Sequence, residues 1–141
     1  NRVPVHLDYN IALLDMAGNH ATVFIAPDRE PNVTQATIST NHQGPATAEK
    51  PLFLEDTLTR LDTLQHLLGF TELTLSSAVG AFLQPPLYRQ HDIYDSGTLY
   101  TAMYNPEHRS AHYVWPHTSL TLSFDHFEEQ AITIEYGPQS I

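Results

Sequence analysis

The chain has 141 residues with 6 Lys+Arg against 16 Asp+Glu, a formal charge of -10, 9 His, 10 Pro and no Cys. No apolar run approaches the ~18 residues of a membrane span, the acidic excess disfavours nucleic acid, and disulfides, thiolate metal sites and a cysteine nucleophile are excluded within these residues. A length close to the ~150-residue domain prior and a 41% apolar composition predict one folded unit over residues 1–141 rather than a disordered segment.

Tyr9–Met16 and Ala21–Ala26 are rich in apolar and β-branched residues and read as a β-hairpin turning at Gly18-Asn19. After the breaker-rich stretch 27–32, residues 35–40 read as a third short strand, ended by the turn cluster Asn41-His42-Gln43-Gly44-Pro45. Leu54, Leu58, Leu61, Leu64, Leu67 and Leu68 fall at spacings of three and four, which predicts a helix capped by Gly69. A second helix is expected from an N-cap at Thr71 through Phe82, stopped by Pro85-Pro86. Thr98–Tyr104 and Ser110–Trp115 form a second expected hairpin. Ser119–Ser123 alternates as a strand, 124–129 is read as one helical turn, and Ala131–Tyr136 as a closing strand. The fold class is therefore α+β, antiparallel sheets with packed helices.

Four residues stand out for their placement. Arg60 lies angularly between Leu64 and Leu67 on the apolar stripe. A guanidinium there is either paired near the core or laid along apolar surface with its head in water. Thr40-Asn41-His42 closes an expected strand. Asn41 there either donates to a developing oxyanion from a rigid support or serves an ordinary turn. Nine histidines invite a metal reading, and His108 and His112 are four apart, but they enter an alternating strand and no His-Glu-x-x-His pattern exists, so no metal is expected. Asn32-Val33-Thr34 fits a glycosylation sequon that carries weight only in a secreted chain. Asp125–Glu129 reads as a solvated acidic turn, with an acid–base set as the alternative.

Three blocks, taken together, resemble the C-terminal half of the acyl-coenzyme A:6-aminopenicillanic acid acyltransferase family, within the N-terminal-nucleophile hydrolases related to choloylglycine hydrolase and penicillin V acylase. The first is Asn10-Ile-Ala-Leu-Leu-Asp15-Met-Ala-Gly18-Asn19 leading to Ile38-Ser-Thr40-Asn41-His42. The second is Asp56-Thr57-Leu-Thr-Arg60-Leu, with Thr57 where the family carries Ser. The third is Gly97–Pro106 with Tyr113-Val-Trp115-Pro116.

The resemblance implies a four-layer αββα fold, of which residues 1–141 are the C-terminal portion. It also implies hydrolysis or transfer at a linear amide by a cysteine freed through self-cleavage. Asn41 then matches the oxyanion-hole Asn, Arg60 the Arg that orients charge around the nucleophile, and Thr40 and His42 become substrate-pocket neighbours.

No cofactor is implied. The partners implied are an N-terminal segment or chain carrying the cysteine, and a small acyl amide or acyl donor; a homo-oligomer is left open. The family's cysteine and the acidic residue after it have no counterpart here, and Asn1 is no nucleophile. A piece of a larger or cleaved protein is thus expected, the alternative being a binding domain that kept the fold and lost the chemistry. Freedom from cysteine suits a reducing compartment, and cytoplasmic placement is slightly favoured.

Overall fold

Apolar and β-branched residues at alternate positions pair into the first sheet, β1 (Tyr9–Leu14), β2 (His20–Ile25) and β3 (Asn32–Thr34), in that spatial order and all antiparallel. The computed structural model describes residues 5, 7–43, 54–90 and 97–136, which fall into two units, Asn1–Gly69 and Phe70–Ile141. The first unit adds helix α1 (Leu54–Leu68). The second contains α2 (Leu75–Phe82) and a sheet of β4 (Thr101–Asn105), β5 (Ser110–Trp115) and β6 (Thr118–Ser123), again in chain order and antiparallel. The protein is α+β, with two small antiparallel sheets and two helices among the described residues. Gly44 and Pro45 of the expected turn cluster lie outside the described residues.

The register of the first sheet places Tyr9, Ile11, Leu13, Val23, Ile25 and Val33 on one face and Asn10, Thr22, Phe24 and Thr34 on the other. Tyr9, Ile11, Leu13 and Val33 are exposed, so the apolar face is bare, whereas Thr22 on the polar face is only 3% exposed.

That inversion has a local cause: the chain after β3 runs across the polar face and bonds to it. Thr22 Oγ1 donates to Ala36 O at 2.8 Å, a His20 ring nitrogen sits 3.2 Å from Gln35 O, and Asn10 Nδ2 donates to Thr40 O. The expected third strand over 35–40 is therefore displaced to Asn32–Thr34. The carbonyls of Gln35, Ala36 and Thr40 are satisfied by side chains, not by a backbone ladder.

The β1–β2 turn is built by Asp15. Its carboxylate accepts from the backbone of Ala17 and Asn19 and from Asn19 Nδ2, each at 2.8 Å. Those bonds, the Asn19 side chain first, hold the Asp15 carboxyl below the ordinary aspartate value of 3.8. A folded-state value below the unfolded one means the turn is fully supported above pH 3.8 and loses that support as pH falls through the lower folded value. Asp15→Asn is accordingly expected to flatten the acid limb of a melting-temperature profile, read by circular dichroism, while leaving the neutral limb parallel to the parent.

Gly18 adopts φ +83 in the same turn, and a Cβ built on it meets nothing within 4 Å. Gly18→Ala therefore carries a purely conformational cost of about 1 kcal/mol, with no clash, and is expected to lower the urea midpoint by the matching amount.

In the second unit the expected helix start moves from Thr71 to Thr74. There Thr74 Oγ1 accepts from Ser77 N at 3.1 Å and Ser77 Oγ accepts from Thr74 N at 3.0 Å, a reciprocal box that Thr71 lacks. β4 begins three residues later than expected, because Thr98 N donates to Arg89 O and Thr98 Oγ1 accepts from Arg89 N.

No helical turn forms at 124–129; Ser123 Oγ takes the amides of Asp125 and His126 at 3.2 Å. Residues 131–136 make no sheet pairing. Their period-two pattern marks two faces but supplies no neighbouring strand. On β5, Tyr113 packs edge-to-face with Tyr100 and Tyr104, ring centroids 5.3 and 6.3 Å away.

Candidate active site

The first unit positions residues 40–43 with polar bonds, not a deep core. Among the described residues only Ala26 and Ala111 are buried apolar side chains, one in each unit. Gln43 acts as a clamp at the open end of the hairpin. Its Nε2 lies within donating distance of Tyr9 O and Asn10 Oδ1, both at 2.9 Å, and of Ile25 O at 3.2 Å. Tyr9 and Ile25 are a cross-strand pair, so the amide bridges the last rung of the β1–β2 ladder. Gln43 Oε1 accepts from Arg29 Nη2 at 2.7 Å, and the same nitrogen pairs with Asp8 at 3.0 Å. With Asn10 holding the Thr40 carbonyl, the backbone is pinned on both sides of Asn41 and His42.

Helix α1 reaches this segment through two side chains one turn apart. Thr57, 3% exposed, places Oγ1 3.3 Å from His42 Nδ1, and Thr40 Oγ1 lies 3.0 Å from the same nitrogen. Since a hydroxyl both donates and accepts, either tautomer of His42 is satisfied between them. His42 and Thr40 thus join the helix to the end of the polar-face segment.

Three residues on, Arg60 Nη2 donates to Asn41 Oδ1 at 2.8 Å and pairs with Asp56 Oδ2 at 3.1 Å, one helical turn before it. The Arg60 side chain is 25% exposed, and its buried Nε has no hydrogen-bond partner among the described residues. Of the two readings open for Arg60, the paired one describes the structure.

The Arg60 bond also orders Asn41. A guanidinium offers only donors, so the oxygen of the Asn41 amide must face it. Nδ2, with two N–H groups, is directed elsewhere; among the described residues it has no acceptor, and Asn41 is exposed. The arrangement is a neutral amide donor backed by a fixed cation. It can stabilise negative charge developing on a ligand oxygen. The Asn41–Arg60 pair itself cannot attack, since an amide and a guanidinium are not acyl-transfer nucleophiles and the chain holds no cysteine; the hydroxyls that reach the His42 imidazole are those of Thr40 and Thr57.

All four residues singled out from the sequence, Thr40, Asn41, His42 and Arg60, fall in one connected cluster. Asp56, Asn10 and Gln43 stand within the quoted motifs and turn but carry no site role in the sequence reading. Asp56 was findable, because an acid four residues before an arginine on a helix forms an ion pair. Asn10 on a strand and Gln43 in a turn carry no such spacing signal; only the path of residues 35–43 brings them into play.

A family model described as acyl-coenzyme A:6-aminopenicillanic acid acyl-transferase matches residues 1–120, covering both the Asn41–Arg60 cluster and the strands that hold it. Comparison with curated proteins and with solved structures gave no match. The chain belongs to the acyl-coenzyme A:6-aminopenicillanic acid acyl-transferase family.

Proposed function

We propose that the intact protein is an amidohydrolase or N-acyltransferase acting on linear C–N amide bonds, with its nucleophile a cysteine on polypeptide outside these 141 residues. The observation that carries this reading is the pairing of Asn41 with Arg60, whose buried Nε has no acceptor among the described residues. A buried donor of this kind costs about 1–3 kcal/mol unless something accepts from it. A thiolate or carboxylate from the nucleophile-bearing segment is the chemistry that fits.

In the proposed reaction the cysteine thiolate attacks the amide carbonyl carbon. A C–S bond forms, and the carbonyl π electrons move to oxygen. Asn41 Nδ2 donates to that oxyanion, while Arg60 keeps the amide turned and holds the local potential positive. On collapse the C–N bond breaks, and the amine leaves with a proton from the nucleophile's own α-amino group, giving a thioester. Water or a second amine then attacks the thioester. Thr40 and His42 border the substrate without exchanging protons with it.

The bare apolar face of Tyr9, Ile11, Leu13 and Val33 supports an added layer, as the family's αββα arrangement would provide. The rival reading is a binding domain without chemistry, favoured by the absence of cysteine from the chain.

Intact-mass and N-terminal analysis of the purified full-length product separates the two. Self-cleavage that leaves an alkylatable cysteine terminus, with turnover on an N-acyl amine panel, supports the enzyme. An uncut product inert to alkylation and to the panel overturns it.

A further inference from the structure

The second unit contains a hollow of about 480 Å³ that the acyl-transfer reading does not use. Its volume suits a small organic ligand. Leu83 at the end of α2, Tyr88, Trp115 and Pro116 at the β5–β6 turn, and Ile134 and Tyr136 supply its apolar lining.

The polar tips of the two facing aromatics are already engaged. Trp115 Nε1 donates to Leu99 O at 2.7 Å and lies 3.1 Å from the Tyr136 hydroxyl, which donates to the same carbonyl. With those tips engaged, Trp115 and Tyr136 offer the hollow their ring carbons. Burial, followed by the neighbouring Tyr136, pushes the Tyr88 phenol above its ordinary value, so this wall stays uncharged. The lining includes the exposed Glu135 and His117, and no lysine or arginine among the described residues.

Aromatic rings beside a carboxylate, with no lysine or arginine among the described lining residues, disfavour anions and attract organic cations. We infer that this hollow binds a small arylalkyl amine in its ammonium form, the aryl group against Trp115 and Tyr88 and the ammonium facing Glu135.

Trp115 is the only tryptophan of the chain, so emission excited at the red edge, beyond tyrosine absorption, reports on a side chain lining this hollow. The full chain is titrated with 2-phenylethylammonium, with its neutral isostere 2-phenylethanol and with 3-phenylpropionate. The expected result is a saturable change with the ammonium, binding roughly fivefold tighter than the alcohol and roughly tenfold tighter than the carboxylate. Glu135→Gln is expected to weaken the ammonium roughly fivefold and leave the alcohol unchanged. Tyr88→Leu should weaken all three ligands.

An unsaturable response to the ammonium, equal binding of the carboxylate, or equal loss of alcohol and ammonium in Glu135→Gln overturns the inference. The three-ligand series in the unaltered protein decides the matter even if a variant loses its near-ultraviolet dichroism.

Discussion

Asn41→Ala in the complete, cysteine-bearing protein is expected to lower kcat on an N-acyl amine by roughly 10²–10³-fold while KM moves far less. The amide's Nδ2 serves the oxyanion, which exists only after attack, so its loss falls on the transition state and spares ground-state binding.

Asn41→Asp is the sharper variant. A carboxylate preserves the acceptor that Arg60 holds at 2.8 Å and satisfies turn chemistry as well as Asn does. It also removes both N–H donors and sets a negative charge where another must develop. Turnover is expected to fall at least as far as in Asn41→Ala, with the urea midpoint unchanged or raised. Retained turnover in Asn41→Asp would show that Asn41 serves the turn alone.

Arg60→Lys is expected to cost roughly tenfold to 100-fold in kcat even though the charge is kept. A single ammonium cannot reproduce a fork whose Nη2 contacts both Asn41 and Asp56 while Nε points into buried space. The stability loss should be small, about 1 kcal/mol, because the side chains of Arg60 and Asp56 are 25% and 40% exposed and water screens their pairing. Activity and urea midpoint are therefore expected to part company in this variant.

Since Arg60 works in part by fixing the Asn41 amide, the double variant Asn41→Ala/Arg60→Lys should lose less than the product of the single losses. Strict multiplicativity of the two kcat effects would separate the residues and remove the positioning role from Arg60.

Two local elements, helix α1 and the first hairpin, and the chemical types at the site are legible in the residues alone. Helix α1 was legible to its ends because six leucines at three- and four-residue spacing and a following glycine leave one amphipathic solution. The first hairpin was legible from its apolar runs and Gly18, whose positive φ few other residues tolerate. Arg60 stands out in the sequence because a charge on an apolar stripe needs a partner or a route to water.

The spacing to Asp56 offers one answer to that charge, but the bond to Asn41 comes from the path of the chain, because Asn41 is nineteen residues away and the turn between carries no periodic signal. The tertiary structure likewise moved the third strand from 35–40 to Asn32–Thr34 and left 131–136 unpaired. A period of two states that a segment has two faces. Whether it becomes a strand depends on a partner backbone, and here His20, Thr22 and Asn10 reach the carbonyls of 35–40 first.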